Sequence, residues 1–343
     1  MRPSSSPDPA TNHTANRLPF LGQWRWLLVL VALTVAAVAV WLWPASDRGR
    51  GLDAARNGDF ETAEPMLRRA RERHPDDLEV VQALATGYDR ANRSDEAEAE
   101  LARWAELRPD DPKPLAASFR LWLRTRYFDR AAEAARRMLC MGKIEPELYP
   151  QVVAVFMLVG EAREAADAAR AGIAVAPQSV RLRFQLAEAL RAGGQTGEAR
   201  GILECLTQEA LEFPDAWRLR GVIAAEDDDP AAAITLLERA LALRPADLEA
   251  RYALGVALRR CDREDDARRE LDRFEKTRLA LDLANFSSNQ PDRAELAVRT
   301  AAAFFEAGLD QNGHEFVHRA LERDPNNAEA RRLRDAHKAT LPR

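Results

Sequence analysis

The sequence predicts an all-α protein in which one N-terminal transmembrane helix precedes a solenoid of about eight helical hairpins. Two observations carry this prediction. Seven alanines recur at a constant 34-residue interval, a period typical of a two-helix repeat. The segment from Trp26 to Trp43 is uncharged throughout and, with its flanks, is long enough for a helix that crosses a bilayer.

Residues 1–23 are expected to be a disordered tail. This segment is rich in Pro, Ser, Asn and Thr and shows no apolar periodicity. A segment of this kind buries too little apolar surface to offset the entropy lost on ordering.

Residues 24–43 are expected to form the transmembrane helix. At about 1.5 Å per residue, this segment reaches about 30 Å, the thickness of the hydrocarbon layer. Tryptophans, whose rings favour the headgroup layer, lie near both ends: Trp24, Trp26, Trp41 and Trp43. Pro44 ends the helix. A cleaved signal peptide is the competing interpretation, but Trp43 is too bulky for the cleavage site that would follow Ala45, so we interpret the segment as an uncleaved anchor.

The orientation of the anchor is less strongly specified. Arginines occur on both sides: Arg17 and Arg25 before the segment, and Arg48, Arg50 and Arg56 after it. The positive-inside comparison is therefore close to a tie. A short arginine-bearing tail favours a bacterial inner-membrane protein whose repeat domain lies outside the cytoplasm, whereas three unpaired cysteines favour the opposite side.

A 34-residue register organises the chain after the membrane segment. Counted from residue 44, position 20 of each unit is alanine: Ala63, Ala97, Ala131, Ala165, Ala199, Ala233 and Ala267. Position 24 is leucine or alanine in the same units, position 8 is usually small, and position 32 is proline at Pro75, Pro109, Pro177 and Pro245. Small residues let the two helices of a hairpin approach closely, and large ones fill the space between hairpins.

This pattern resembles the tetratricopeptide repeat (TPR) family over residues 44–327. The register places seven repeats in residues 44–281 and an eighth in 294–327. Between them, Asn, Ser and Pro in residues 282–293 indicate a linker insertion. Residues 328–343 are expected to form a charged C-terminal capping helix. The resemblance implies that a peptide or a partner helix binds along a concave groove, and that the chain is not an enzyme.

The same resemblance implies which side chains line that groove. They are expected at positions 2, 5, 9 and 12 of the first helix of each repeat. The candidates combine an apolar strip with arginines: Arg120, Met157, Phe184, Arg191, Arg218, Val222, Tyr252, Val256 and Arg259. In the alternative interpretation, Phe184 and Tyr252 pack against the next hairpin and the arginines are only solvated. The Lys, Asn and Arg set by which chaperone-binding TPR proteins hold a C-terminal carboxylate is absent, since Gln82 and Thr86 occupy two of its positions.

One short motif points to an enzyme. Residues 314–318, HEFVH, have the H-E-x-x-H spacing with which zinc peptidases hold their metal. In the register of the eighth repeat, however, Gly313 and Val317 fall on packing positions. A zinc peptidase also needs a third ligand and a substrate cleft, and the following residues offer carboxylates such as Glu322 and Glu329. We therefore expect no catalytic site and no bound metal, keep a zinc metallopeptidase as a remote alternative, and expect His314 and His318 to form a surface pair.

Other functions have less support. The net charge is −5 and the basic residues form no cluster, so nucleic-acid binding is not expected. No cofactor-binding motif is present, and we expect no cofactor. Cys140, Cys205 and Cys261 are too far apart for a metal knuckle and are expected to pack as small apolar residues. The sequence predicts a membrane-anchored scaffold that binds a protein or peptide in an envelope assembly or secretion complex, with a self-associating structural module as the alternative.

Overall fold

The computed structural model describes residues 31, 34, 47–290 and 292–340. Every regular element in these ranges is a helix, which confirms the all-α prediction for them. The predicted tail, residues 1–23, and nearly all of the predicted transmembrane segment, residues 24–43, lie outside the described residues. Within the described ranges, no helix combines the length and the apolar character that a bilayer crossing needs.

The chain forms two compact units, divided after Thr125. The helices of the first unit are α1 (residues 47–56), α2 (Phe60–Arg73), α3 (Leu78–Arg90), α4 (Ser94–Leu107) and α5 (Lys113–Arg124). The second unit contains α6 (Phe128–Met141), α7 (Tyr149–Leu158), α8 (Ala162–Val175), α9 (Val180–Ala192), α10 (Thr196–Glu209), α11 (Pro214–Glu226), α12 (Pro230–Leu243), α13 (Leu248–Arg260), α14 (Glu264–Ser288), α15 (Ala294–Glu306), α16 (Asp310–Arg323) and α17 (Ala328–Ala336). Short 3-10 helices at Pro146–Leu148 and Lys338–Thr340 complete the list.

The small and apolar positions of the repeat are buried as the register predicts. The position-20 alanines from Ala63 to Ala233 are 0% exposed, and Ala267 is 1% exposed. Close approach of the two helices explains the small residue at position 8. A Cβ added to Gly221 in α11 would lie 2.7 Å from Leu237 Cγ in α12, inside the van der Waals limit. Alanine in place of Gly221 would require the Leu237 side chain or the two helices of this hairpin to shift.

The turn between the two helices of each hairpin has one backbone conformation throughout. A residue with positive φ recurs at position 15 of the repeat: Gly58, Asn92, Arg126, Gly160, Gly194, Asp228, Asp262 and Gly308. The first seven keep the 34-residue interval, whereas Gly308 follows Asp262 after a longer gap, so a single insertion between them accounts for the change of register. Apart from Arg126, all are Gly, Asn or Asp, the residues that adopt this region most easily.

The predicted linker, residues 282–293, is largely helical. Helix α14 continues as far as Ser288, and only residues 289–293 connect it to α15. The helix continues because residues after 279 keep an apolar face: Ala280 is 0% exposed, and Leu283 and Ala284 pack against the cluster formed by α15 and α16. The turn-forming residues act only at the end of the segment.

Two smaller expectations differ from the structure. The C-terminal helix α17 ends at Ala336, so of the described residues 328–340 the first nine form the expected α-helix. Cys140 and Cys205 are exposed, and only Cys261 is partly buried, so the expectation that all three pack inside is wrong. Cys140 and Cys205 lie on the outward-facing sides of their helices, where no neighbouring element covers a small side chain.

Candidate binding groove

A groove with a volume of about 800 Å³ lies in the second unit. The first helices of three successive hairpins, α9, α11 and α13, line it side by side, and α14 contributes one aromatic ring. Its apolar lining comprises Leu219, Val222, Ala225, Leu248, Tyr252, Ala253, Val256 and Phe274. Val222 and Val256 occupy the same position of consecutive repeats, so the strip follows from the repeat itself: one position of each helix faces the groove at every step.

Tyr252 and Phe274 form the aromatic part of the groove. Their ring centroids are 5.6 Å apart with an interplanar angle of 54°. Despite this contact, 54% of Tyr252 is exposed. A large amphipathic ring held at one side by a second ring loses little conformational entropy when a ligand covers it.

The arginines of the groove are occupied by carboxylates of the same chain. Arg191 pairs with Glu226 of α11 at 2.7 Å. Arg218 lies among three carboxylates: it contacts Glu249 and is 3.6 Å from Asp247. The third of these is Asp215, 3.7 Å from Arg218, and at the rim Arg260 pairs with Asp228 of the preceding hairpin. These guanidinium groups hold neighbouring repeats together, so they are not free cations awaiting an acidic partner.

The pKa values of two carboxyl groups near Arg218 are shifted in opposite directions: that of Asp215 is lowered and that of Glu188 is raised. Burial tends to raise the pKa of Asp215, but the hydrogen bonds and charges of Arg244 and Arg218 together outweigh burial and hold that pKa below its usual value. Glu188 of α9 has no such close partner. Burial raises the pKa of Glu188, the charge of Arg218 lowers it in part, and the charges of Asp215 and Glu249 raise it further.

Five of the nine predicted groove residues line this cavity together: Arg191, Arg218, Val222, Tyr252 and Val256. The other four do not. Phe184 is 8% exposed and packs edge-on against Phe213 with centroids 5.2 Å apart, as the alternative interpretation expected. Arg259 is exposed, but its neighbour Arg260 lines the groove instead. Met157 of α7 is half-buried outside the cavity, and Arg120 is an exposed residue of the first unit.

Sequence reasoning missed Phe274. It lies at position 27 of its repeat, a second-helix position, whereas the groove was expected from first helices alone. The preceding repeats carry Leu206 and Ala240 at this position, both 0% exposed, whereas Phe274 is only half-buried. The long helix α14 explains the difference, since the following hairpin packs on its C-terminal part and leaves this part open.

The HEFVH segment is not a surface pair of histidines. His314 is 9% exposed and meets the ring of Phe305 edge-on at 5.2 Å. The His318 side chain is 74% exposed and lies 3.6 Å from Glu322. One imidazole therefore packs in the core of the last hairpins while the other lies in solvent. Over the described residues, no three His, Cys, Asp or Glu side chains are grouped to hold a metal ion.

A family model matches two segments of the chain. Residues 54–118 and 224–278 match the tetratricopeptide repeat family model. These two segments are TPR repeats. The second of them contains α12 and α13 and six of the eight apolar residues that line the groove.

Similar proteins include one curated relative and several solved TPR structures. The chain is 25% identical over 284 residues to the cellulose synthase operon protein C of Pseudomonas fluorescens (strain SBW25). The match covers 80% of this chain and 22% of that protein, so the chain spans about a fifth of the relative's length. YrrB, described as a TPR protein with an unusual peptide-binding site, is 18% identical, with 55% of this chain and 96% of that chain covered and a TM-score of 0.47. A TPR protein from Parabacteroides merdae is 14% identical, with 86% and 98% covered and a TM-score of 0.43.

Proposed function

We propose that this chain is a non-catalytic, membrane-anchored TPR scaffold that binds a segment of a protein partner in the groove of α9, α11, α13 and α14. One observation carries the proposal: Tyr252 is 54% exposed and lines, with apolar neighbours, a groove that the rest of the described chain leaves uncovered. Exposed aromatic rings within an apolar strip are typical anchors of protein interfaces. The groove is large enough to take several side chains of an extended or helical segment.

The anchor and the location are also part of the proposal. Residues 24–43 carry the length, the flanking tryptophans and the terminal proline that favour a single membrane crossing. We place the repeats outside the cytoplasm of a bacterial cell, where the scaffold would serve an envelope assembly or a secretion complex. A reporter fused after residue 343 tests this side. Alkaline phosphatase activity is expected, whereas fluorescence of a cytoplasm-dependent reporter at the same site would place the repeats inside the cell.

Site-specific photo-crosslinking tests the groove. Benzoylphenylalanine replaces Tyr252 in the full chain, and native membranes are irradiated. The matched control places it at Tyr127, which is 59% exposed but does not line the groove. A discrete adduct with a second protein is expected from position 252 and not from position 127.

Two outcomes contradict the proposal in different ways. An adduct pattern that is identical at both positions, or absent at both, removes the assignment of the groove as a binding site. An adduct of two copies of this chain supports the alternative of a self-associating module. The mass of the adduct on denaturing gels separates these results.

A further inference from the structure

We propose that the groove selects a partner segment in which an apolar anchor is accompanied by a lysine or arginine, and that Glu188 receives this cation. The inference rests on the proposed function and specifies the chemistry of the partner. The residue types alone, with several arginines in the groove, would favour an acidic partner. Their pairing in the folded protein favours the opposite charge.

The first step is that the groove arginines are already neutralised. Arg191 is matched by Glu226, and Arg260 by Asp228. An acidic partner would have to displace one of these carboxylates, and it would gain little, because an ion pair already formed would be lost.

The second step is that the Arg218 end of the groove has an excess of carboxylates. Glu188, Asp215, Asp247, Glu249 and Glu226 interact there with three guanidinium groups, those of Arg218, Arg244 and Arg191, the last of which pairs with Glu226. Five negative and three positive charges leave two negative charges. The Glu249 side chain is 75% exposed, so solvent screens its charge, whereas Glu188 is half-buried.

The third step concerns the state of Glu188 itself. Among the described residues it makes no ion pair, and the nearby cations Arg218 and Arg191 act on it only through space. Its side chain is half-buried, so the charged carboxylate is poorly solvated and the pKa of the group is raised. A cation brought by a ligand would compensate a desolvation that the free protein already bears.

The fourth step is position. Glu188, Val222 and Val256 all occupy position 9, in three successive first helices. Val222 and Val256 line the groove, so Glu188 is the next residue of the same row. Packed helices lie about 8–10 Å apart, and the cation would therefore bind one helix away from the apolar strip. A ligand segment crossing the helices meets the apolar residues first and the carboxylate next.

Synthetic peptides provide the probe. Three labelled amphipathic peptides of about 16 residues share one apolar stripe and differ only in the flanking residues, which are Lys, Glu or Gln. Binding to the full chain in an uncharged detergent is measured by fluorescence anisotropy at low and high salt. The variants are Glu188→Gln and, as a matched control, Glu133→Gln, whose side chain is 65% exposed on α6 and does not line the groove.

The Lys peptide is expected to bind about tenfold more tightly than the Glu peptide at low salt, with the ratio falling at high salt. Glu188→Gln should weaken the Lys peptide about three- to tenfold and leave the Gln peptide unchanged, and Glu133→Gln should change neither. Equal or tighter binding of the Glu peptide overturns the inference, as does unchanged Lys-peptide binding in Glu188→Gln or a failure of all three peptides to bind.

A Tyr252→Ala variant separates this inference from the proposed function. If all three peptides bind equally and all are lost in Tyr252→Ala, the groove is a binding site and the charge selection is wrong. If peptide binding survives in Tyr252→Ala, the groove assignment itself fails.

Discussion

Arg218 links neighbouring repeats through ion pairs, so we expect Arg218→Met to lower the local stability of helices α11 and α13. Its side chain is 14% exposed and lies between Asp215 of its own helix, Asp247 before α13 and Glu249 in α13. Asp247 is 8% exposed and its Oδ2 accepts no hydrogen bond, so Arg218→Met leaves a buried carboxylate with Arg244 as its remaining cation, 3.8 Å away.

The size of the effect follows from burial. Removing one partner of a buried ion pair costs about 3–5 kcal/mol. Because Arg244 remains close to both aspartates, we expect about 2–3 kcal/mol for Arg218→Met. Arg191→Met is the matched control in the same groove, since its partner Glu226 is 46% exposed and such pairs contribute about 0–1 kcal/mol.

Hydrogen exchange is the suitable assay because repeat proteins open locally, so that a single unfolding midpoint would average over hairpins. A loss of about 2 kcal/mol accelerates exchange of α11 and α13 amides about 30-fold, at about 1.4 kcal/mol per factor of ten. Amides of α7 and α8 serve as the internal reference. Equal acceleration by Arg218→Met and Arg191→Met, or none in either variant, would refute the reasoning from burial.

Three further predictions follow from the same structure. Tyr252→Ala should weaken the binding of a ligand in the groove by up to about 2–3 kcal/mol, since roughly 100 Å² of exposed ring can be buried at about 25 cal/mol per Å². Tyr127→Ala should leave the dissociation constant, measured by fluorescence anisotropy, unchanged. His314→Ala should destabilise the last hairpins by about 1–3 kcal/mol in urea unfolding, because His314 is buried, whereas the exposed His318 can be replaced by alanine without this loss. Metal analysis of protein purified without a histidine tag should find no stoichiometric zinc. Because the pKa of Glu188 is raised in the folded protein, its charged form destabilises the fold above that pKa; Glu188→Gln should therefore raise the urea midpoint at pH 7 and leave it unchanged well below the usual glutamate pKa. If Glu188→Gln both stabilises the fold and weakens binding of the Lys peptide, Glu188 contributes to binding at the expense of stability.

The repeat could be derived from the sequence because its determinants are local and periodic. An alanine at position 20 and a small residue at position 8 are required wherever two helices meet, and the 34-residue spacing repeats that requirement. The turn position offered a second signal, since Gly, Asn or Asp recurs there, and it would also have fixed the eighth repeat through Gly308. That Val222 and Val256 face the groove came from the TPR resemblance, which implies that position 9 of each first helix lies on the concave side.

Local sequence patterns did not predict the conformation of the linker or the burial of the two histidines. Asn, Ser and Pro in residues 282–293 favour a turn locally, but the helix is extended by contacts with α15 and α16, which lie farther along the chain. His314 and His318 have a spacing that suits a metal, yet one is buried against Phe305 and the other is solvated. Spacing along a helix gives the approximate face and not the depth of each side chain.

The amino-acid sequence alone determined the helical hairpins and their register, because each depends on residues within one repeat of a regular pattern, and the TPR resemblance implied which row of positions faces the groove. Tertiary structure decided the charge of that groove. Arg191 meets Glu226 and Arg218 meets Glu249 only when successive repeats stack, and whether a given arginine is then free or neutralised depends on side-chain geometry that no periodicity encodes. The carboxylate left over after this pairing, Glu188, is therefore visible only in the folded protein.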